Sequence, residues 1–493
     1  MSDIDTVQGP TPPRASRGAL WSAADFWMQQ MSQLLTFILV GNVLGPETVG
    51  VMNMALVAVL FFATFLENGF GDALIQRGEL TPQHFSSAFW LMLGIGLVEA
   101  AILVVVTPLI AGFFSEPRLK AILPLMAIGL PFIAVTACYA GILQRRLMFR
   151  QLATRSILAY GLGFVTAFTL VRMGYGLYSL VAFFLVSRIL DAVLVIVVSG
   201  MWPGFRATRG ALWEIFDYGR HRVAHQAVTY VTFQFDRIVI GYFLGPAALG
   251  LYSTAERMVS ALNNGISGVL QRVAFPVLSA RQNDRPAFDG AMRDFLTASN
   301  VIGLPVFFGL AATAPALITT LFSDKWLPAI GLMQVLCFAA IAHPSNYVLT
   351  AATNALGFPK TVLKISVIVL VMRLTASLIA AQFDVQTVAL ANAGVYLMSL
   401  PVFFIVANPL FGGRWGWLFG GVPGPLAAVL VMALIAYGAG LTLHGLPPFE
   451  LLGAQVAIGV LAYAGSLKLF APALFDRALA LATRRATPNL DPA

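Results

Sequence analysis

Gly41, Leu44, Gly45, Pro46 and Gly50 return as Gly241, Leu244, Gly245, Pro246 and Gly250, an offset of 200 residues. Each copy closes one long apolar segment and opens another. A segment pair repeated at that distance in an apolar chain predicts two similar lobes. The Gly-Pro steps predict a tight turn in each copy, on the side away from the cytoplasm. The turn itself is expected to mark register rather than to touch a ligand.

The 493 residues are 58% hydrophobic and 11% charged, against about 25% charged in ordinary soluble domains. The apolar residues come in runs of about 20, the length that crosses a hydrocarbon core as helix. The expected fold class is therefore an all-α polytopic membrane protein. The net charge of +8 does not point to nucleic acid, because membrane proteins collect Lys and Arg in cytoplasmic loops. Cys138 and Cys337 lie within apolar segments and read as small buried hydrophobes, with no disulfide or metal framework. No Walker lysine loop, zinc-protease helix or Ser-His-Asp pattern stands out. Neither a catalytic residue nor a cofactor or metal is expected, and the chain reads as a non-enzyme.

Fourteen membrane spans are expected. They lie at 18–40, 50–74, 86–112, 119–143, 153–172, 177–200, 221–244, 250–279, 294–320, 328–351, 361–382, 386–408, 417–441 and 450–471. The basic residues orient them. With the N-terminus inside, 21 of the 30 Lys and Arg fall on the cytoplasmic side. They include the cluster Arg145, Arg146, Arg150 and Arg155, and the group Arg206, Arg209, Arg220 and Arg222. Only Arg118, Lys120, Arg172 and Lys325 fall outside. That bias supports the span count, since one missed helix would invert every later loop.

The two repeat copies are six spans apart, so the lobes have the same orientation. The expected organisation is a disordered cytoplasmic tail over 1–17, an N-lobe over 18–203 and a cytoplasmic linker over 204–220. A C-lobe follows over 221–410, then two added spans over 411–472 and a cytoplasmic tail over 473–493. The linker region from Arg209 to Arg222 reads as an interfacial amphipathic helix carrying Trp213 and Phe216.

Polar residues inside the spans point to function. An ionisable group at the bilayer centre costs about 2.5–3.5 kcal/mol. The first span carries Asp25, Gln29, Ser32 and Thr36 on one helical face. The seventh carries His225, Thr229, Thr232 and Asp236 with the same spacing, in register with the 200-residue offset. The eighth shows Glu256, Ser260, Asn263, Ser267 and Gln271, and the second offers Glu67 and Asn68. Five arginines lie within spans: Arg188, Arg237, Arg257, Arg272 and Arg373. Guanidinium keeps its proton, so each needs a carboxylate, water or an anionic ligand. Asp236 with Arg257, Arg237 with Glu256, and Arg188 with Asp191 are candidate internal pairs. Arg272 is placed to snorkel towards the cytoplasm. His343 precedes Pro344 at an expected kink and reads as a packing residue. Matched polar linings in both lobes fit a water-filled cavity, and its arginines suit phosphate or diphosphate. Two lobes around such a cavity suggest a transporter.

Phe235-Asp-Arg-Ile-Val-Ile-Gly-Tyr-Phe-Leu-Gly-Pro-Ala-Ala-Leu-Gly-Leu-Tyr-Ser253 resembles a signature of bacterial polysaccharide flippases. Gln144-Arg-Arg-Leu-Met-Phe149, Phe275-Pro-Val-Leu-Ser279 and Asp324-Lys-Trp-Leu-Pro328 are similar to further stretches of that family. The family is the Wzx-type branch of the multidrug/oligosaccharidyl-lipid/polysaccharide exporter superfamily. The resemblance spans about residues 17–410. It implies two six-helix lobes around a central cavity, often with two extra helices, in the bacterial inner membrane. It implies an undecaprenyl-diphosphate-linked oligosaccharide as substrate. Both termini are expected in the cytoplasm, and a polymerase and a chain-length regulator are expected partners.

Within that reading Arg237, Arg257 and Arg373 are expected to attract the diphosphate. Asp25, Gln29, Asn263 and Asn264 are expected to meet sugar hydroxyls. Asp25, Asp236 and Glu256 are candidates for coupling to protons or sodium. A cation-coupled drug exporter of the same superfamily and a lipid II flippase are the alternatives, with a scaffold in a synthesis complex as a different class.

Overall fold

A computed structural model of the chain describes residues 12–66, 82–146, 148–204, 209–411 and 423–476. Among them there is no β-strand. The helices are α1 (Pro12–Leu44), α2 (Pro46–Phe65), α3 (Pro82–Phe113), α4 (Leu119–Ala127), α5 (Gly129–Arg145), α6 (Phe149–Arg172) and α7 (Leu177–Ser199). Then come α8 (Arg209–Ser279), α9 (Arg285–Leu321), α10 (Ala329–Ala340), α11 (His343–Ala355), α12 (Pro359–Ala380), α13 (Val385–Ala407), α14 (Pro423–Thr442) and α15 (Pro448–Phe470). Among the described residues twelve helical stretches are long and apolar enough to cross a membrane. Thr229–Ile266 counts as one of the twelve although non-helical Gly245 interrupts it, and α1 is not among them. An all-α membrane protein is thus what the sequence folds into.

Element ends depart from expectation where polar residues extend a helix beyond its apolar core. α9 starts at Arg285 rather than 294, because the Asp284 carboxylate accepts from the Ala287 amide and Pro286 follows in the first turn. Both features start helices regardless of hydropathy. α6 starts at Phe149 rather than 153. α1 starts at Pro12, inside the stretch expected as a tail. Glu67 and Asn68 lie outside the described residues, as do the side chains of Trp213, Phe216, Arg220, Arg222, His225, Ser267, Gln271 and Arg272.

The chain divides into two compact units, Met1–Gly250 and Leu251–Ala493. In the first, α6 packs along α1 and α7, and α5 along α3 and α7. The segment after α7 is pinned at three points: Tyr139 Oη donates to the Met201 carbonyl, Trp90 Nε1 to the Gly204 carbonyl, and the Gly204 amide to Ser86 Oγ. Small residues let the helices close up. A Cβ on Gly163 of α6 would overlap Ser187 Oγ of α7.

The repeated hairpins adopt one backbone conformation. Gly45 has φ 84° and ψ 172°, and Gly245 has φ 79° and ψ −176°. That region is essentially closed to residues with a side chain. Each glycine stops one helix, and the proline after it opens the next with a φ already set for helix.

In the second unit α9 is the shared element. It packs against α10 and α11, and against α14 and α15. One apolar cluster joins Phe288, Met292 and Leu296 of α9 to Val348 and Leu349 of α11 and Phe403 of α13. A second joins Leu304 and Phe308 to Val429 and Met432 of α14, with Tyr463 Oη of α15 donating to the Val301 carbonyl. Large side chains also remain uncovered: Val105 is 77% and Leu461 73% exposed. Exposed aliphatic faces on apolar helices are surfaces for hydrocarbon, not water.

Candidate functional site

The first unit gathers polar side chains from α1, α6 and α7. Gln29 Nε2 donates to Asp25 Oδ1 at 3.0 Å and lies 3.3 Å from Ser156 Oγ. One turn on, Ser32 Oγ donates to the Tyr160 carbonyl at 3.1 Å. Thr36 bonds back to the Ser32 carbonyl. The polar stripe of α1 therefore faces α6, because spacings of four, three and four residues hold all four groups on one side.

Behind it, Arg155 Nε of α6 stands 3.4 Å from Asp191 Oδ1 of α7. Arg155 and Asp191 are 6% and 4% exposed. Among the described residues the Arg155 Nε and Nη1 atoms and Asp191 Oδ1 make no hydrogen bond. The charges of Arg188 and Asp25 also act on Asp191. The expectation counted Arg155 with the cytoplasmic basic cluster, at the very start of the span 153–172, and offered Arg188 as a candidate partner of Asp191. The helix starts four residues earlier than expected, which carries Arg155 two turns inside it and makes it the ion-pair partner. The Arg188 guanidinium also lies 5.8 Å from the centre of the Phe184 ring.

The first arm of α8 carries Asp236, buried at 2% exposure, and Arg237, whose Nη1 donates to Gln234 Oε1 at 2.9 Å. Tyr230 Oη donates to the Val57 carbonyl of α2 at 3.0 Å, and its ring meets Phe61 edge-on. Asp25, Gln29, Asp236 and Arg237 thus belong to the first unit.

Glu256, Arg257, Asn263, Asn264 and Arg373 belong to the second. Glu256, Arg257 and Asn263 are half-buried and Asn264 is exposed. Asn263 Nδ2 donates to Tyr347 Oη at 3.4 Å. Tyr347 is on α11, whose first residue is His343. The helix expected at 328–351 is broken there, with a turn at Ile341 and Ala342 between α10 and α11. Proline at the second position of α11 accounts for the restart.

The His343 ring is 4.8 Å from Tyr396 of α13 and 6.3 Å from Tyr347, centre to centre. The Arg373 guanidinium lies 5.3 Å from the centre of the Tyr396 ring, a cation–π distance. Arg373 is 8% exposed. Neighbouring amides and hydroxyls are paired across helices: Asn346 with Ser399, Ser345 with Asn300, and Ser377 with Asn392. The sequence reading named Asn263 and Arg373 as site candidates and His343 as a packing residue, and did not name Tyr347 or Tyr396, which the structure sets beside them. The four-residue step from His343 to Tyr347 was the available signal.

Outside the membrane, Arg118 is held by two carboxylates. Its Nη2 meets Glu47 Oε1 at 2.6 Å and its Nε meets Glu116 Oε1 at 2.7 Å. The hydrogen bond from Arg118 holds the Glu116 carboxyl below the usual carboxylate range, and Glu116 in turn pushes the guanidinium up. Glu47 is in the first turn of α2, so this loop is tied to the first Gly-Pro hairpin.

The chain resembles known proteins along most of its length. It is 28% identical over 466 residues to the teichuronic acid biosynthesis protein TuaB of Bacillus subtilis, covering 90% of this chain and 93% of that one. It is 28% identical over 308 residues to the succinoglycan biosynthesis transport protein ExoT of Rhizobium meliloti, covering 62% of each. Its fold matches that of the lipid II flippase MurJ in an inward closed conformation, with a TM-score of 0.73 and 17% identity over 92% of this chain and 99% of that one. Residues 39–331, more than half of the chain and including both hairpins and the polar faces of α8, match one family, and the chain belongs to it: the polysaccharide biosynthesis proteins.

Proposed function

We propose that the chain is a flippase for undecaprenyl-diphosphate-linked oligosaccharides. It carries them from the cytoplasmic to the periplasmic leaflet of the bacterial inner membrane for exopolysaccharide, capsule or O-antigen synthesis. The observation that carries this reading is membership of a polysaccharide biosynthesis family by a chain of membrane-crossing helices. Similarity to a succinoglycan transport protein and a fold like that of a lipid flippase support it.

The physical problem suits such a chain. Each sugar hydroxyl taken unpaired into hydrocarbon costs a few kcal/mol, so a headgroup of several sugars does not cross unaided. Two lobes, 18–203 and 221–410, would shield the headgroup while the prenyl tail stays in lipid, and alternating access would release it on the far side. Arg237, Arg257 and Arg373 take the diphosphate in this reading, and Asp25, Gln29, Asn263 and Asn264 take hydroxyls. Asp25, Asp236 and Glu256 are the groups through which proton or sodium antiport would couple. Both chain termini lie in the cytoplasm, and a polymerase and chain-length regulator receive the product.

Single neutralisation of Arg237, Arg257 and Arg373 to Gln tests the assignment. Polysaccharide export is expected to stop while the protein accumulates in the membrane at its normal level. Full export by all three variants would overturn it.

A further inference from the structure

We propose that His343, Tyr347 and Tyr396 form a sugar-stacking face in the second unit, with Asn263 as its polar edge and Arg373, the residue read above as a diphosphate ligand, beside it. The inference rests on the flippase reading above and names the part of the headgroup that this unit takes: a pyranose ring, apart from the diphosphate.

Three independent features lead there. The first is composition. Rings that only fill an apolar core pack among aliphatic side chains, as Phe403 does in the cluster with Leu296, Val348 and Ile365. The three rings here are half-buried and sit beside a guanidinium and an amide. A pyranose has an apolar face of C–H bonds and a rim of hydroxyls. The C–H face suits the electron-rich face of an aromatic ring, and the rim needs donors and acceptors at the ring's edge.

The second feature is an unfilled acceptor. Asn263 Nδ2 donates to Tyr347 Oη, whereas Asn263 Oδ1 is shielded and has no hydrogen-bond partner among the described residues. Leaving such an oxygen unsatisfied is unfavourable, because it has given up water without gaining a donor. A sugar hydroxyl donating to it would remove that cost on binding.

The third is the broken helix. α10 ends at Ala340 and α11 begins at His343, in the middle of the membrane-crossing stretch Ala329–Ala355. Irregular backbone at that depth is tolerated where it lines a cavity or is held by protein, and broken helices mark substrate sites in other transporter folds. His343 and Tyr347 are both on the first turns after the break, so the restart aims both rings the same way.

The test measures binding by the full-length protein in lipid nanodiscs. One probe is the lipid-linked repeat unit extracted from cells that make the polysaccharide, and the other is undecaprenyl diphosphate without sugar. Tyr347→Leu is expected to weaken binding of the glycosylated lipid about 5- to 10-fold and to leave undecaprenyl diphosphate binding unchanged. Tyr347→Phe and Tyr347→Trp, which keep a ring, are expected to retain binding of the glycosylated lipid. Unchanged undecaprenyl diphosphate binding also shows that a variant is folded. Should a leucine variant fail to fold, Asn263→Ala is expected to show the same selective loss.

Equal losses for both lipids, or no loss for the glycosylated one, would overturn the sugar face and leave the flippase reading standing. Failure of the unaltered protein to bind either lipid would overturn the flippase reading itself.

Discussion

Gly50 and Pro246 touch backbone to backbone: a Cβ on Gly50 would overlap the Pro246 carbonyl oxygen, and a Cβ on Gly250 would overlap that of Pro46. The two repeat copies are thus packed reciprocally, the last glycine of each against the proline of the other. The hairpins were expected only to mark register. They also make a contact that no side chain larger than hydrogen permits.

Gly50→Ala and Gly250→Ala are each expected to destabilise the protein by about 1–3 kcal/mol, the usual cost of overpacking. The two effects should be similar, because the contact is reciprocal. Gly94→Ala is the control, since a Cβ there meets nothing within 4 Å. Thermal unfolding in detergent checks this, and equal midpoints for all three variants would contradict it.

Asp191→Asn is expected to be far worse than its size suggests. It leaves the Arg155 guanidinium, 6% exposed, without its ion-pair partner, and breaking a buried pair costs about 3–5 kcal/mol. The double variant Arg155→Met with Asp191→Leu removes both charges and should recover most of the loss. Unfolding midpoints of the two variants decide it; a double variant as unstable as the single one would show that the pair has a role beyond charge compensation.

Acid should release the loop at 113–118 late. The Glu116 carboxyl is held low by its hydrogen bond from Arg118. Its contribution is therefore complete above the ordinary Glu value of about 4.3 and is lost only as pH falls through the lowered one. Asp384, held low by the Thr387 amide, titrates in the same acid range, so the readout has to be local. Amide exchange of 113–118, corrected for intrinsic rates, is expected to stay slow from neutrality to about pH 4.3 and to rise below it. Glu116→Gln should make exchange fast at every pH. Loss of protection already at pH 6 would contradict this.

What was legible in the sequence was what local pattern carries. Apolar runs gave the helices, and the Leu-Gly-Pro repeat gave two positions with matching backbone angles, 84° and 79° in φ. Four-residue spacing gave the Asp25–Gln29 face. Arg155 was hidden because it continues a basic cluster, and a boundary four residues off left it at the cytoplasmic end of its span rather than well inside the helix. The His343–Tyr347–Tyr396 group was hidden for another reason. Its members come from two helices distant in sequence, and aromatic residues in apolar segments leave no polar periodicity to read.

The central claim is transbilayer movement of a lipid-linked sugar. Purified protein in liposomes, loaded with the extracted lipid-linked repeat unit and exposed to a membrane-impermeant sugar-modifying reagent, tests it most directly. The expected result is that nearly all of the lipid becomes accessible when the protein is present, against about half in protein-free liposomes, where only the outer leaflet reacts. Accessibility that stays at the protein-free level, with folded protein in the bilayer, would contradict the claim.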